Sequence, residues 1–207
     1  MDSSAGCGAA VREPGKAKGT NAALAIYDFH IHLPLMSDAR TANLLGAAVT
    51  ALNDELEAAT ASAAEHGAAF PAALVSVHWA PGLSIEQLRR ILGLSHSGTV
   101  RLLDRLQREG SVERKAGQDG RSVSVHLTAQ GRRHVRTILH RRRSVMGGAL
   151  ELLAPAEQDQ LRRLVEKLLA GMTRDRAHSD HICRLCDEAA CPIAACPVEG
   201  AVQGKQA

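Results

Sequence analysis

The sequence predicts a mainly α-helical fold that contains one small β-hairpin. Aromatic residues make up only 2% of the chain while hydrophobic residues make up 45%, which favours helices packed through aliphatic side chains. Apolar residues recur every three to four positions over most of the chain, the spacing of one helix face. One stretch, Val123–Leu127, instead alternates apolar and polar residues with the period of two that is typical of a strand.

The charge is unevenly distributed along the chain. The segment Ser84–Arg143 contains 14 Lys or Arg and 5 Asp or Glu, a local charge of +9, so that the remainder of this +3 chain carries −6. Such asymmetry is typical of a surface that binds a polyanion. The longest apolar run near the N-terminus, Ala22–Tyr27, is too short for a membrane span or a secretory signal. We therefore expect a cytoplasmic protein with no membrane partner.

Residues 1–35 are interpreted as a disordered leader, because the first 20 are rich in Gly, Ala, Ser and Lys without periodicity. Within the leader, Asp28, His30 and His32 have the spacing of a strand in some metal-dependent hydrolases. No further acidic or histidine motif supports a hydrolase, and we interpret these histidines as incidental.

Two helices are predicted before the basic segment. From Asp38 onward, apolar residues fall on one face of a long helix at Leu45, Val49, Leu52 and Leu56. A second apolar segment, Ala69–Ala80, ends at the turn signal Pro81-Gly82.

The basic segment begins with two short helices. Ser84 and Gln87 have the spacing of a capping box, and Gly93 can end that helix in the left-handed conformation. Ser95 can cap the next helix, which ends at Gly110. Two short helices joined by so tight a turn predict a helix-turn-helix.

A basic hairpin follows, with Asp119-Gly120 as a favoured turn. A helix-turn-helix followed by such a hairpin is a winged helix-turn-helix. Thr128 then caps another helix, and Pro155 suits the first turn of the last one. That last helix has a broader apolar stripe than a small domain needs, which predicts a subunit interface with the first long helix. The stripe consists of Leu161, Leu164, Val165, Leu168, Leu169 and Met172.

The stretch LSIEQLRRILGLSHSGTVRLLDRLQREGSVERKAGQDGRSVSVHLTAQGR, and above all D-G-R-S followed by L-T-x-x-G, resembles the MarR family of bacterial winged-helix repressors. The resemblance covers roughly Met36–Arg174, and it leads us to expect one winged-helix domain over residues 36–176. It implies a transcription regulator rather than an enzyme, and a homodimer formed by the N- and C-terminal helices. Such a dimer would place two recognition helices on a pseudo-palindromic operator in double-stranded DNA.

The predicted DNA contacts lie at the start of the second short helix and at the wing tip. Arg101 can donate two hydrogen bonds to guanine, and Arg105, one turn on, is expected at the phosphate backbone. Arg121 resembles the family's minor-groove arginine, with Asp119 orienting it. The full set of predicted contacts is His96, Ser97, Thr99, Arg101, Arg105, Asp119 and Arg121.

Residues 177–207 form a cysteine-rich tail that the resemblance does not cover. It holds four of the chain's 5 cysteines, at Cys183, Cys186, Cys191 and Cys196. Clustered thiols in a reducing compartment are more often metal ligands than disulfides, and the candidates are an iron–sulfur cluster and tetrahedral zinc. The proline after Cys191 and after Cys196 favours the iron–sulfur cluster, and zinc is the alternative.

These features together predict a DNA-binding transcription repressor that senses redox or iron state through a cluster in its tail. Because the tail follows directly on the last helix, a change at the cluster is expected to alter the spacing of the two recognition helices. The alternative is a zinc-stabilised regulator that responds to a small aromatic ligand. The basic segment and the complete winged helix argue against an enzyme or a ferredoxin-like electron carrier.

Overall fold

The computed structural model describes residues 39–64, 68–117 and 123–204. The predicted mainly α-helical fold with a small sheet is confirmed, and Arg40–Ala207 form one compact unit. In chain order the elements are α1 (Ala39–Ala64), α2 (Ala69–Trp79), β1 (Leu83–Ser84), α3 (Ile85–Leu92), α4 (His96–Arg108), β2 (Val112–Ala116), β3 (Val123–Leu127), α5 (Ala129–Leu150), α6 (Pro155–Met172), α7 (Arg176–Cys183), a 3-10 helix (Ile193–Ala195) and α8 (Pro197–Gln203).

The core is aliphatic and lies where α2, α3, α4 and α5 pack around the sheet. Helix α2 is apolar on all sides and is almost wholly buried, from Phe70 to Val77. Its neighbours contribute fully buried side chains that include Leu88, Leu103, Leu106, Val125 and Val135. A helix with apolar residues all round is stable only inside a core, so α2 is the element around which the winged helix is built.

The helix-turn-helix has the predicted caps. The Ser84 hydroxyl accepts a hydrogen bond from the Gln87 amide at 3.2 Å, and the Gln87 side chain returns one to the Ser84 amide at 2.8 Å. Gly93 ends α3 with φ of +67°, a conformation that costs other residues more than glycine. The Ser95 hydroxyl accepts from the Gly98 amide at 3.1 Å. The turn geometry is therefore specified locally by short-range hydrogen bonds.

The sheet has three antiparallel strands in the order β1-β3-β2. The hairpin of β2 and β3 was predicted, and it pairs Val112 with Leu127 and Ala116 with Val123. Strand β1, which pairs Leu83 with Val125, was not predicted. Two residues are too few to show an alternating pattern, so only the tertiary structure reveals this strand.

The L-T-x-x-G motif joins the wing to α5 through close packing. The Thr128 hydroxyl donates to the Gly110 carbonyl at 2.6 Å and accepts from the Gly131 amide at 3.0 Å. A Cβ atom on Gly131 would lie 2.0 Å from the Ser111 carbonyl oxygen, far inside van der Waals contact. Glycine is thus required here by the approach of two backbone segments.

Helices α1 and α6 expose large apolar side chains. On α1, Leu44, Leu45 and Val49 are 54%, 53% and 60% exposed, and on α6 Leu164 and Leu168 are 53% and 49% exposed. These residues belong to the faces that the sequence predicts as a subunit interface. No helix in the described part of the chain has the length and apolar character that crossing a membrane requires.

The tail is folded back on the rest of the unit. Helix α7 packs against α3, and α8 packs against α6. Val198 and Val202 of α8 are buried, as is Ser179 of α7. The sequence predicted no helix in this segment, because its cysteines and prolines interrupt any apolar periodicity.

Candidate nucleic-acid interface and cysteine site

The first half of α4 presents polar side chains to solvent. His96, Ser97 and Arg101 are exposed, and Arg105 is half-buried one turn further along. The opposite face of α4 is anchored in the core by Leu103 and Leu106, which are fully buried. The structure therefore brings these four predicted contact residues to one accessible face of the recognition helix.

Thr99 is a correction to the predicted contacts. Its side chain is fully buried, and its hydroxyl donates to the Ser95 carbonyl at 3.0 Å. A buried hydroxyl with its hydrogen bond made has no access to a base edge, so we remove Thr99 from the candidate interface. The prediction rested on residue type alone. The helical spacing, which places Thr99 about 200° round the axis from Ser97, indicates the core face instead.

Ion pairs remove the negative charge from this surface. Asp104 of α4 accepts a hydrogen bond from Arg114 of β2 at 2.7 Å, which ties the recognition helix to the wing. Sequence reasoning missed this pair, because residues on a helix and a following strand have no fixed spacing. Within the described residues Arg101 makes no ion pair, so its guanidinium is available to a ligand.

Two other carboxylates of the basic segment are also neutralised. The guanidinium of Arg89 donates two hydrogen bonds of 2.8 Å to Glu86 and lowers the pKa of that carboxyl. The ammonium of Lys115 lies 2.9 Å from Glu113 and lowers its pKa in the same way. Both carboxylates therefore stay ionised and paired.

The wing tip carries the two remaining predicted contacts. Asp119 and Arg121 lie outside the described residues, in the connection between β2 and β3. The pairing of Ala116 with Val123 fixes the base of that connection. The prediction for Asp119 and Arg121 stays a prediction.

The four tail cysteines surround one pocket of about 190 Å³. All four are free thiols, and only Cys191 is exposed, the other three being half-buried. The other lining residues are the polar Arg176, Ser179, Asp180, Glu188 and Glu199 and the apolar Ile193. Residues that are 13 positions apart along the chain are thus brought together by the turn between α7 and α8.

The thiols are close enough to alter one another's ionisation. A hydrogen bond between Cys183 and Cys186 raises the pKa of Cys183 and lowers the pKa of Cys186, since Cys183 keeps the shared proton. Burial adds to the rise at Cys183, and the nearby guanidinium of Arg142 adds to the fall at Cys186. Burial, followed by the charge of Cys196, raises the pKa of Cys191. Each thiol therefore has at least one other thiol of the set as a neighbour.

No group of three or more His, Cys, Asp or Glu side chains in the described ranges has the geometry of a site for a metal ion. His181 is not part of the pocket lining, because its ring faces α3 instead, where Nδ1 lies 2.8 Å from the Ile91 carbonyl oxygen. The candidate ligands are accordingly Cys183, Cys186, Cys191 and Cys196.

Comparison with known proteins agrees with this architecture. Residues 72–122, from α2 to the wing tip, match the model of the MarR family. The transcriptional repressor MprA of Escherichia coli strain K12 is 29% identical over 103 residues, which are 48% of this chain and 58% of MprA. This chain therefore spans less than two thirds of that relative.

Solved structures of other proteins share this fold. The MarR family protein RV2887 of Mycobacterium tuberculosis is 26% identical, with a TM-score of 0.51 over 66% of this chain and 98% of that one. A MarR family protein of Bacillus stearothermophilus, 24% identical, has the same fold with a TM-score of 0.59, over 66% and 95% of the two chains. The fold is that of the MarR winged helix, whose family members are transcription regulators rather than enzymes.

Proposed function

We propose that this chain is a sequence-specific DNA-binding transcription repressor that acts as a homodimer. The observation that carries the proposal is the exposed start of α4, where His96, Ser97 and Arg101 project from a winged helix with a charge of +9. Helices of this kind read base edges in the major groove, and basic side chains neutralise phosphates. The relative MprA is named a transcriptional repressor, which supports repression rather than activation.

The exposed apolar faces of α1 and α6 support the homodimer. Each helix exposes several large apolar side chains, and Val49 on α1 and Leu164 on α6 are more than half exposed, which is typical of a protein–protein interface. A second copy of the chain covers the same faces by symmetry. Two recognition helices related by that symmetry would read half-sites about 34–36 Å apart, which makes the operator pseudo-palindromic.

The DNA-binding proposal is tested with a duplex that the protein itself enriches from a randomised pool. Arg101→Ala is expected to weaken binding to that duplex by about 1–3 kcal/mol. Arg121→Ala, at the wing tip, is expected to have a similar effect if it reaches the minor groove. The control is Arg163→Ala on α6, which removes the same charge from an exposed position outside the interface.

Failure of the parent protein to enrich any duplex would refute the proposed function. Equal affinities of the parent and Arg101→Ala at fixed salt would remove Arg101 from the interface. Light scattering of the same sample tests the homodimer, since a monomer at micromolar concentration contradicts it.

The tail is proposed to hold an iron–sulfur cluster, through which the repressor responds to iron supply or redox state. Four free thiols around one pocket are the donor set that such clusters use. The pocket of about 190 Å³ is several times the ~30 Å³ that one water occupies in the liquid. The proline after Cys191 and after Cys196 favours a cluster over one zinc ion.

The nature of the centre is tested by purification without oxygen. A brown protein with visible absorbance and with matching iron and sulfide supports the cluster. A colourless protein that contains zinc refutes it, and would favour a zinc-stabilised regulator that responds to a small aromatic ligand.

A separate experiment tests whether the cysteine centre regulates operator binding. Serine at the four cysteine positions is expected to abolish any effect of iron removal or dioxygen on operator binding. If this variant binds the duplex as the parent does, both anaerobically and after exposure to dioxygen, then the tail is only structural.

A further inference from the structure

The tail touches the DNA-reading module directly, at the end of the first helix of the helix-turn-helix. Helix α7 lies along α3, and His181 Nδ1 donates a hydrogen bond of 2.8 Å to the Ile91 carbonyl. Sequence position gave no indication of this contact, since the two residues are 90 positions apart. The cysteine site is therefore adjacent to the recognition machinery of its own protomer.

The hydrogen bond of His181 completes the cap of α3. The last carbonyls of a helix have no partner within the helix. The amide of Leu94 satisfies the Arg89 carbonyl at 3.1 Å, and the amide of Gly93 satisfies that of Arg90 at 3.3 Å. The next carbonyl, that of Ile91, receives its hydrogen bond from the tail.

The imidazole of His181 also fits the turn between α3 and α4. A Cβ atom on Gly93 would lie 3.4 Å from Cε1 of His181, so the ring lies against the backbone of the turn. Gly93 is the residue at which the chain reverses into the recognition helix, whose cap begins at Ser95. Movement of the His181 ring therefore acts on the segment that sets the direction of α4.

A second contact fixes the cysteine-containing turn to α2. The indole N–H of Trp79, the last residue of α2, donates to the Cys186 carbonyl at 3.1 Å. Leu185 packs against the winged-helix core beside it. We call His181, Leu185 and Cys186 the docking contact.

The docking contact and the candidate ligands share one short stretch of backbone. Cys183 and Cys186 direct their thiols into the pocket, while His181, Leu185 and the Cys186 carbonyl face α2 and α3. Filling the pocket would order both sulfurs of the Cys-x-x-Cys segment, and emptying it would free the same residues that cap α3. The candidate ligands and the residue that caps Ile91 therefore share the backbone of residues 181–186.

We propose that the cysteine centre regulates DNA reading within each protomer, through the docking contact on α3 and its turn. This deepens the function proposed above and rests on it. It replaces coupling through the dimer helices with a direct contact at Ile91 and Gly93, where α3 ends and the turn begins. When the cysteine site is filled, the hydrogen bond from His181 to the Ile91 carbonyl is favoured. When the site is empty, loss of that bond is favoured, and the recognition helix takes a different direction.

The test compares duplex affinity with the site filled and stripped, in the parent and in His181→Ala. The duplex is the one that the parent enriches from a randomised pool, and stripping uses an iron chelator without oxygen. We expect the parent to show a difference within the 5- to 150-fold that is typical of allosteric coupling. In His181→Ala the same ratio is expected to fall to about one, with iron and sulfide content unchanged, because His181 is not a ligand.

The matched control is His178→Ala on the same helix, where the His178 ring accepts hydrogen bonds from the amide and guanidinium of Arg174. This variant should keep the ratio of the parent. His181→Gln, which retains a donor, should restore part of it. Trp79→Phe, which keeps an aromatic ring but loses the N–H, should lower the ratio independently of His181.

Trp79 supplies a readout that does not require DNA, because it is the only tryptophan of the chain. Stripping the site should shift its fluorescence to longer wavelength as the indole leaves the Cys186 carbonyl for water. His181→Ala should show part of that shift while still filled.

The experiment distinguishes failure of the proposed function from failure of the docking mechanism. A parent that enriches no duplex refutes the proposed function. A parent that binds its duplex with a filled-to-stripped ratio that His181→Ala and Trp79→Phe both retain refutes the docking mechanism alone.

Discussion

The winged helix and the tail are stabilised in different ways. The winged helix encloses a continuous aliphatic core, in which Leu74, Leu88, Leu103 and Val125 are fully buried. The tail buries only two large apolar side chains, Val198 and Val202, within its described residues. One region is stabilised mainly by removing apolar surface from water, and the other mainly by polar contacts and whatever its thiols bind.

The polar contacts of the tail are individually weak. Arg176 makes a two-pronged ion pair with Glu199 at 2.6 and 2.7 Å, and Arg143 pairs with Asp187 at 2.5 Å. Both carboxylates are 18% exposed, but Arg143 and Arg176 are 69% and 48% exposed, and pairs screened by solvent typically contribute about 0–1 kcal/mol. A segment this small with so little core is expected to depend on a bound centre for its stability. A region of low intrinsic stability that contacts the helix-turn-helix is well suited to act as a switch.

The largest expected effect is loss of the core. Leu103→Ala should lower the free energy of unfolding by about 2–5 kcal/mol, because it leaves a cavity at a site with no exposure. Val202→Ala, in the tail, should leave the main denaturant transition nearly unchanged. Equal shifts of that transition in the two variants would show that tail and winged helix unfold as one unit.

The next effect tests the close approach between wing and α5. Gly131→Ala should destabilise by about 1–3 kcal/mol, because its Cβ would meet the Ser111 carbonyl oxygen at 2.0 Å. Gly148→Ala on the same helix has open space and should instead stabilise by about 0.5–1 kcal/mol. Thermal melts of both variants measure the difference, and a neutral Gly131→Ala would contradict the packing argument.

Removal of the centre is expected to act on the tail and not on the core. Hydrogen exchange of amides in Arg176–Gln203 should speed up at least tenfold after stripping, which corresponds to about 1.4 kcal/mol. Amides of α2 and α4 should keep their protection. Uniform loss of protection across both regions would end the distinction between them.

The smallest effect concerns the ion pair that closes the tail. Glu199→Gln should cost less than about 1 kcal/mol at neutral pH, since the pair is solvent-screened. Hydrogen bonding from Arg176 lowers the pKa of Glu199 below its ordinary 4.5. The stabilisation is therefore full above pH 4.5 and is lost as the pH falls through the lowered pKa. Parent and variant should converge in acid, and the exposed Glu151→Gln is the control.

Much of the winged helix could be predicted because its signals are local. The capping box at Ser84 and Gln87, the left-handed Gly93 and the caps at Ser95 and Thr128 all appear in the structure as predicted. Each depends on hydrogen bonds between residues three positions apart. The exposure of Arg101 followed in the same way from helical periodicity.

The residues that link distant segments could not be predicted. Thr99 was assigned to DNA although it lies on the core face, because small polar residues occur on both faces of a recognition helix. The pairing of Arg114 with Asp104, and the role of Trp79, depend on how separate elements pack. The convergence of four cysteines was suggested by spacing, whereas the packing of α7 against α3 was not.

The sequence by itself determined the elements of this protein, since helix caps, turn glycines and apolar periods act within a few residues of chain. Only the tertiary structure decided which surfaces meet: that Arg114 pairs with Asp104, that Ser111 requires Gly131, and that His181 caps Ile91. The physical reason is that a hydrogen bond across 90 residues depends on the packing of whole helices, which no local pattern of residues records.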